Sequence, residues 1–223
     1  MTRAGRSGPG AGGDRERRVG VLLAAGTGSR FDGGNKLRRP LDGDPVVRRA
    51  ARRLADAPVD ETVVVVGHDA DRVREALGPL AHRDRVAVVR NDRYDEGQGA
   101  SVRRGAAAAL ERGGTAGLFA LGDMPLVAPG TYDRLVAVAD RETASVVVPE
   151  YRGDRGNPVA FDARALRRLT TLSGDVGGRA LFGADEFTVV RVPVDDPGVR
   201  ADVDTAADLE RYRRGRTRRP GRR

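Results

Sequence analysis

The residues with the most chemical promise begin at Leu23. The run Leu23-Ala24-Ala25-Gly26-Thr27-Gly28-Ser29-Arg30-Phe31-Asp32-Gly33-Gly34-Asn35-Lys36 is a glycine-rich loop after an apolar strand, and its last residue is the single lysine among 40 basic side chains. A lysine ammonium is a compact charge on a flexible stem, whereas a guanidinium is a rigid planar fork. A lone lysine in a chain that otherwise uses arginine marks a place where the two do not interchange. Gly26, Gly28, Gly33 and Gly34 free backbone N–H groups for a ligand, with Arg30 and Lys36 alongside. Such a loop wraps phosphate oxygens and leaves two cations to neutralise them. It is not a P-loop, because Asn35 precedes Lys36 and Leu37 follows it, and Phe31 stands where a dinucleotide fingerprint needs its third glycine.

Three further clusters follow apolar runs. Asp123, in Gly122-Asp123-Met124-Pro125, comes after Leu118–Leu121 and is placed to hold a divalent cation; Mg²⁺ accepts one or two protein carboxylates and completes its shell with phosphate and water. Asp204, in Asp202-Val203-Asp204-Thr205, is either the second carboxylate or the N-cap of the final helix. Ser101 follows Gly97 and Gly99 and either caps a helix or faces a bound base. His68 and His82 stand alone, and the sequence has neither a Ser-His-Asp arrangement nor a Gly-x-Ser-x-Gly elbow.

These clusters need a scaffold that brings strand ends together. Apolar runs at Val19–Ala25, Thr62–Gly67, Val86–Arg90, Ala116–Gly122, Ala144–Pro149, Pro158–Phe161 and Phe187–Val194 predict strands. Helical spacing at Val46–Ala57, Asp69–Leu77, Ala100–Arg112, Pro129–Asp140, Ala163–Thr170, Val176–Phe182 and Thr205–Arg213 predicts helices between and after them. Val63-Val64-Val65-Val66 is continuous rather than alternating, as in a strand covered on both faces. The alternating order predicts a three-layer α/β/α sandwich around a mostly parallel, mixed sheet, with an antiparallel strand or two after Pro149. Ligands of such sheets gather beyond the carboxyl ends of the strands, where the four clusters fall.

Composition narrows the classes. A length of 223 residues fits one sizeable domain. No cysteine is present, which excludes disulfides, thiolate metal sites and a cysteine nucleophile. No apolar run approaches the roughly 18 residues of a membrane helix, and Val19–Ala25 is too short for a signal-peptide core, so a cytoplasmic location is expected. The net charge of +8 is misleading: residues 1–18 and 211–223 hold 13 of the 40 basic and two of the 32 acidic residues, leaving 27 against 30 in the body. The expected organisation is a disordered basic tail at 1–18, a domain at 19–210 and a second basic tail at 211–223. The body lacks the basic excess and the aromatics of a sequence-specific nucleic-acid binder.

Taken together, the chain resembles the MobA-like nucleotidyltransferases, and within them the molybdenum cofactor cytidylyltransferases. The resemblance runs from about Val19 to Arg213. Its segments are Leu23–Gly26 through Lys36; Pro40-Leu41 with Gly43-Asp44-Pro45-Val46; Asn91–Gly97 and Ser101-Val102; Gly122-Asp123-Met124-Pro125; Gly156-Asn157-Pro158-Val159; Gly174-Asp175-Val176-Gly177-Gly178-Arg179; and Asp202-Val203-Asp204-Thr205. It implies a nucleotide-diphospho-sugar transferase-like, Rossmann-like fold and transfer of a nucleotidyl group to a phosphorylated acceptor. By the same resemblance, Leu23, Ala24, Ala25, Gly26, Gly28, Arg30, Lys36, Ser101 and Gly122 would bind the nucleotide, with Lys36, Arg30 and Asp123 catalytic. Asp123 and Asp204 would hold Mg²⁺, and Gly156, Asn157, Pro158 and Asp175 would lie near the acceptor. The expected substrates are CTP and molybdopterin cofactor, with a recipient molybdoenzyme as a further partner. Ala25 and Ser101-Val102 resemble the cytidylyltransferases, while Leu23 resembles the guanylyltransferase relatives that use GTP. A non-catalytic cofactor-binding protein of the same fold is a further alternative. No separate nicotinamide or flavin fingerprint supports oxidoreductase chemistry.

Overall fold

The computed structural model describes residues 16–28, 34–172 and 177–217. Strands β1 (Arg18–Ala24), β4 (Glu61–Val66), β5 (Val86–Arg90) and β6 (Ala116–Leu121) form the parallel half of the main sheet. The other half holds β7 (Val146–Tyr151), β8 (Asp154–Arg155), β9 (Val159–Phe161) and β10 (Val189–Pro193). The order is β5-β4-β1-β6-β9-β7-β10, with β8 beside β7. Two short strands, β2 (Pro40–Leu41) and β3 (Asp44–Pro45), pair with each other outside this sheet. The helices are α1 (Val46–Ala55), α2 (Ala70–Leu77), α3 (Gln98–Glu111), α4 (Pro129–Ala139), α5 (Ala163–Leu169) and α6 (Ala206–Thr217).

Both faces of the sheet are covered, as the valine run requires. Val63 and Val65 join Val21, Phe119 and Val148 in a core beneath α3 and α5. Val64 and Val66 join Leu22, Leu118 and Val147 in the opposite core, which α1, α2 and α4 close. Helix α1 buries Val46, Val47, Ala50, Ala51 and Leu54, a single stripe at helical spacing. Burying one such leucine fully contributes about 1.5–3 kcal/mol. Helix α3 lies so close to β1 that a Cβ on Gly105 would come within 2.5 Å of Val21 Cγ1.

The antiparallel pairing expected after Pro149 is present: β9 runs antiparallel to both β6 and β7, and β8 to β7. Only residues 152–158, which include β8, link β7 to β9, and a parallel neighbour needs a crossover of a dozen residues or more.

Three expectations are corrected. The predicted helix Val176–Phe182 is a 3-10 segment, Gly177–Gly183, and Val176 lies outside the described residues. Gly177 has φ 57°, outside the right-handed helical region, and three glycines in seven residues disfavour an α-helix. At the carboxyl end, residues 211–217 are helical rather than part of a disordered tail. The start of this extension is tied down: the Tyr212 hydroxyl donates to the Asp202 carbonyl at 2.9 Å and Arg213 donates to the Pro40 carbonyl at 2.5 Å. At the other end Arg18, assigned by composition to the amino-terminal tail, is the first residue of β1, with its side chain largely buried.

Candidate functional site

The site forms where β1 and β6 end side by side. The Gly122 N–H donates to the Leu23 carbonyl at 2.8 Å, and a Cβ on Gly122 would stand 3.1 Å from both that oxygen and Ala24 Cβ. This close approach delivers Asp123 next to the loop that leaves β1. The Val203 N–H then donates to the Asp123 carbonyl at 2.9 Å, which brings Asp202–Thr205 alongside. Lys36 opens a 3-10 turn capped by Asn35, whose side chain accepts from the Leu37 N–H at 3.0 Å, and buried Leu37 anchors that turn.

These three supports converge on one ion cluster. Lys36 Nζ lies 2.7 Å from Asp123 Oδ2 and 2.6 Å from Asp204 Oδ1. The lysine side chain is 14% exposed, and the carboxylates 21% and 26%, so the cluster is partly shielded from water. Burial alone pushes the ammonium pKa down, but Asp123 and Asp204 outweigh it and hold the value above its usual range. Burial pushes the Asp123 carboxyl up; Lys36 only partly offsets this, and neighbouring Asp202 adds to it.

Neither Asp204 nor Ser101 caps a helix through its side chain. Thr205, not Asp204, caps α6: its Oγ1 accepts from the Asp208 N–H at 3.2 Å, and Asp208 Oδ2 accepts from the Thr205 N–H at 2.9 Å. This reciprocal capping box leaves the Asp204 carboxylate to Lys36. Ser101 lies inside α3, not at its cap, and its Oγ accepts from Asn91 Nδ2 at 3.1 Å.

Leu23, Ala24, Ala25, Gly26, Gly28, Lys36, Ser101, Asp123 and Asp204 all line one cavity of about 500 Å³. Gly122 stands behind it as the packing point described above. Arg30 and Asp175 lie outside the described residues. Gly156 and Asn157 line a neighbouring cavity of about 310 Å³, which shares Leu23, Gln98 and Leu121 with the first. Pro158 follows Asn157 through a cis peptide bond. Phe119 and Phe161, in edge-to-face contact at 5.3 Å, form part of the second cavity's wall. Arg155, Arg179 and Arg200 are exposed at this second cavity; the Arg155 guanidinium lies over the Phe182 ring, and Arg200 pairs with Asp154. Residue-level reasoning missed Tyr94 and Gln98 in the first cavity and Arg155, Arg200 and the aromatics in the second, whereas Arg179 falls in the Gly174–Arg179 segment that the resemblance named. The cluster Asn91–Ser101 was the signal for the first two; single arginines in an arginine-rich chain gave no signal for the others.

The donor chemistry fits a hard cation. Two carboxylates that both reach one ammonium present a pair of oxygens to a single positive charge, the donor type Mg²⁺ takes. Among the described residues no group of three or more His, Cys, Asp or Glu is arranged to hold a metal, so an ion between these two carboxylates would complete its shell with substrate and water.

The sequence of this chain matches the model of the MobA-like NTP transferase domain over residues 20–202. The chain belongs to the MobA-like NTP transferase family. Its relatives in other organisms agree in extent. It is 30% identical over 200 residues to the nicotine blue oxidoreductase of Paenarthrobacter nicotinovorans, covering 86% of this chain and 95% of that protein. A solved nucleotidyl transferase from Methanothermobacter thermautotroptrophicus superposes with TM-score 0.76 at 31% identity, covering 91% of this chain and 98% of that one. The Mycobacterium tuberculosis protein Rv0371c, solved in complex with manganese, superposes with TM-score 0.71 at 28% identity, covering 89% and 98%. Among the described residues no helix is long and apolar enough to cross a membrane.

Proposed function

We propose that this MobA-like protein transfers CMP from CTP to the terminal phosphate of molybdopterin cofactor and releases pyrophosphate. The observation that carries the reading is the Lys36–Asp123–Asp204 cluster at a cavity walled by the Leu23–Gly28 loop and the start of α3. A terminal phosphate oxygen of the acceptor forms a bond to the α-phosphorus of CTP. The bond from that phosphorus to the bridging oxygen breaks on the opposite side, and pyrophosphate leaves with its electron pair. The acceptor phosphate has a second pKa near 6 and is already largely ionised at neutral pH, so no strong base is needed. Catalysis then rests on positioning and charge neutralisation.

The loop Leu23–Gly28 would cradle the triphosphate, with Arg30 and Lys36 on its charges. Ser101, held by Asn91, would face the base. Asp123 and Asp204 would hold Mg²⁺, which when bound would neutralise negative charge developing in the reaction. The manganese complex of the Mycobacterium tuberculosis relative supports a divalent ion in this family. Gly156 and Asn157, with the Phe119 and Phe161 wall and the arginines of the second cavity, suit a ring-bearing, phosphorylated acceptor. Pro158 and Asp175 belong to the same acceptor side by resemblance, and a molybdoenzyme would receive the product.

Leu23 favours a second reading, in which GTP replaces CTP. A panel of the four nucleoside triphosphates, with and without molybdopterin cofactor, separates the two through pyrophosphate release. Release with CTP and acceptor alone supports the first reading; release with GTP alone replaces it with the second.

A further inference from the structure

The proposed metal carboxylates already hold a cation. Lys36 Nζ sits within 2.7 Å of both Asp123 and Asp204, the place a divalent ion between them would take. Two cations cannot share that spot, and withdrawing the ammonium without a replacement would take a close countercharge from two partly buried carboxylates. The lysine stem shows where the ammonium can go. A Cβ on Gly28 would meet Lys36 Cγ at 3.5 Å, so the stem runs along the backbone of the phosphate loop. Rotations within a four-carbon stem carry the charge from the carboxylates towards that loop without moving the backbone.

We infer that Lys36 is an internal cation that fills the divalent-metal site of the nucleotide-free protein and yields it when a triphosphate draws the ammonium onto the loop. This rests on the reading of Asp123 and Asp204 as metal ligands. The arriving phosphates offer Lys36 a new anionic partner and offer the metal its missing oxygens, so nucleotide and metal bind as a coupled pair. By linkage, each tightens the other by the same factor. The residues beyond the carboxylates fit this order of events: with no third protein ligand among the described residues, the vacated site is incomplete until phosphate arrives.

The test is Mn²⁺ binding to the full chain, read by the loss of the free-ion electron paramagnetic resonance signal, in the absence of nucleotide. Lys36→Met is expected to bind one Mn²⁺ at least about tenfold more tightly than the parent, and Asp123→Asn in that background to abolish the gain. Arg38→Met removes a nearby charge that pairs with Asp69 rather than with these carboxylates, and is expected to leave Mn²⁺ affinity within about twofold. Lys36→Gln serves in place of Lys36→Met if the latter does not fold. A non-hydrolysable CTP analogue is expected to tighten Mn²⁺ binding by a larger factor in the parent than in Lys36→Met. Equal Mn²⁺ affinity in parent and Lys36→Met, with both weakened by Asp123→Asn, overturns the inference while the metal reading stands. Binding indifferent to Asp123→Asn in both backgrounds overturns the metal reading and the inference together. Equal tightening by Arg38→Met reduces the effect to general charge and also overturns the inference.

Discussion

At Asp123 burial and charge pull against each other. Its carboxyl is pushed up by burial and held ionised mainly by Lys36. The sign of the consequence is fixed: as pH falls through a raised pKa, the carboxyl gains a proton and stops pairing with the ammonium. In the metal-free and nucleotide-free protein the Asp123 carboxyl is therefore expected to take up its proton above the usual aspartate value of about 3.9, and a carboxylate still fully ionised at about pH 4 by NMR titration would contradict this. Asp123→Asn removes the charge outright. The expected loss of pyrophosphate release is on the order of a hundredfold to a thousandfold, with loss of dependence on added divalent metal; unchanged metal dependence would exclude the ligand role.

At the scale of elements, two packing features position this chemistry. Helix α3 carries Ser101 and Gln98 to the cavities because Gly105 lets it approach β1, where Val21 leaves no room for a methyl group. Gly105→Ala should destabilise the fold by about 1–3 kcal/mol, read as a lowered denaturation midpoint. The Thr205–Asp208 box starts α6 and frames Asp204. Thr205→Ala should cost about 1 kcal/mol. Slight burial raises the Asp208 pKa, but the hydrogen bonds from Thr205 outweigh it and leave the value low. Stability from that group is thus present above the unfolded value of about 3.9 and lost as pH falls through the lower folded one. Much of this architecture is legible in the sequence, because β4 is a continuous apolar run, α1 has strong helical periodicity, the loop and Asp123 follow strands and Asp204 directly precedes a helical run. The two-residue strands β2, β3 and β8 are too short to show a period. The contact of Lys36 with Asp204 joins residues 168 apart, and no local pattern encodes it.

For the whole molecule, charge and fold separate. The excess positive charge lies at the chain ends, while the body carries 27 basic and 30 acidic residues. Removing residues 1–15 and 218–223 should leave turnover within about twofold, and an abolished activity would make the arginine-rich ends part of the function. The central claim is that this MobA-like body works as a nucleotidyltransferase through its lone lysine. The most direct measurement is pyrophosphate release from CTP with molybdopterin cofactor, run side by side for the parent and Lys36→Arg. The account predicts release by the parent, coupled to a CMP-bearing product, and a fall of about a hundredfold or more in the variant, because the charge is kept but the planar fork cannot take the place of the ammonium. No release by the parent, or turnover by Lys36→Arg within about twofold of it, would contradict the account.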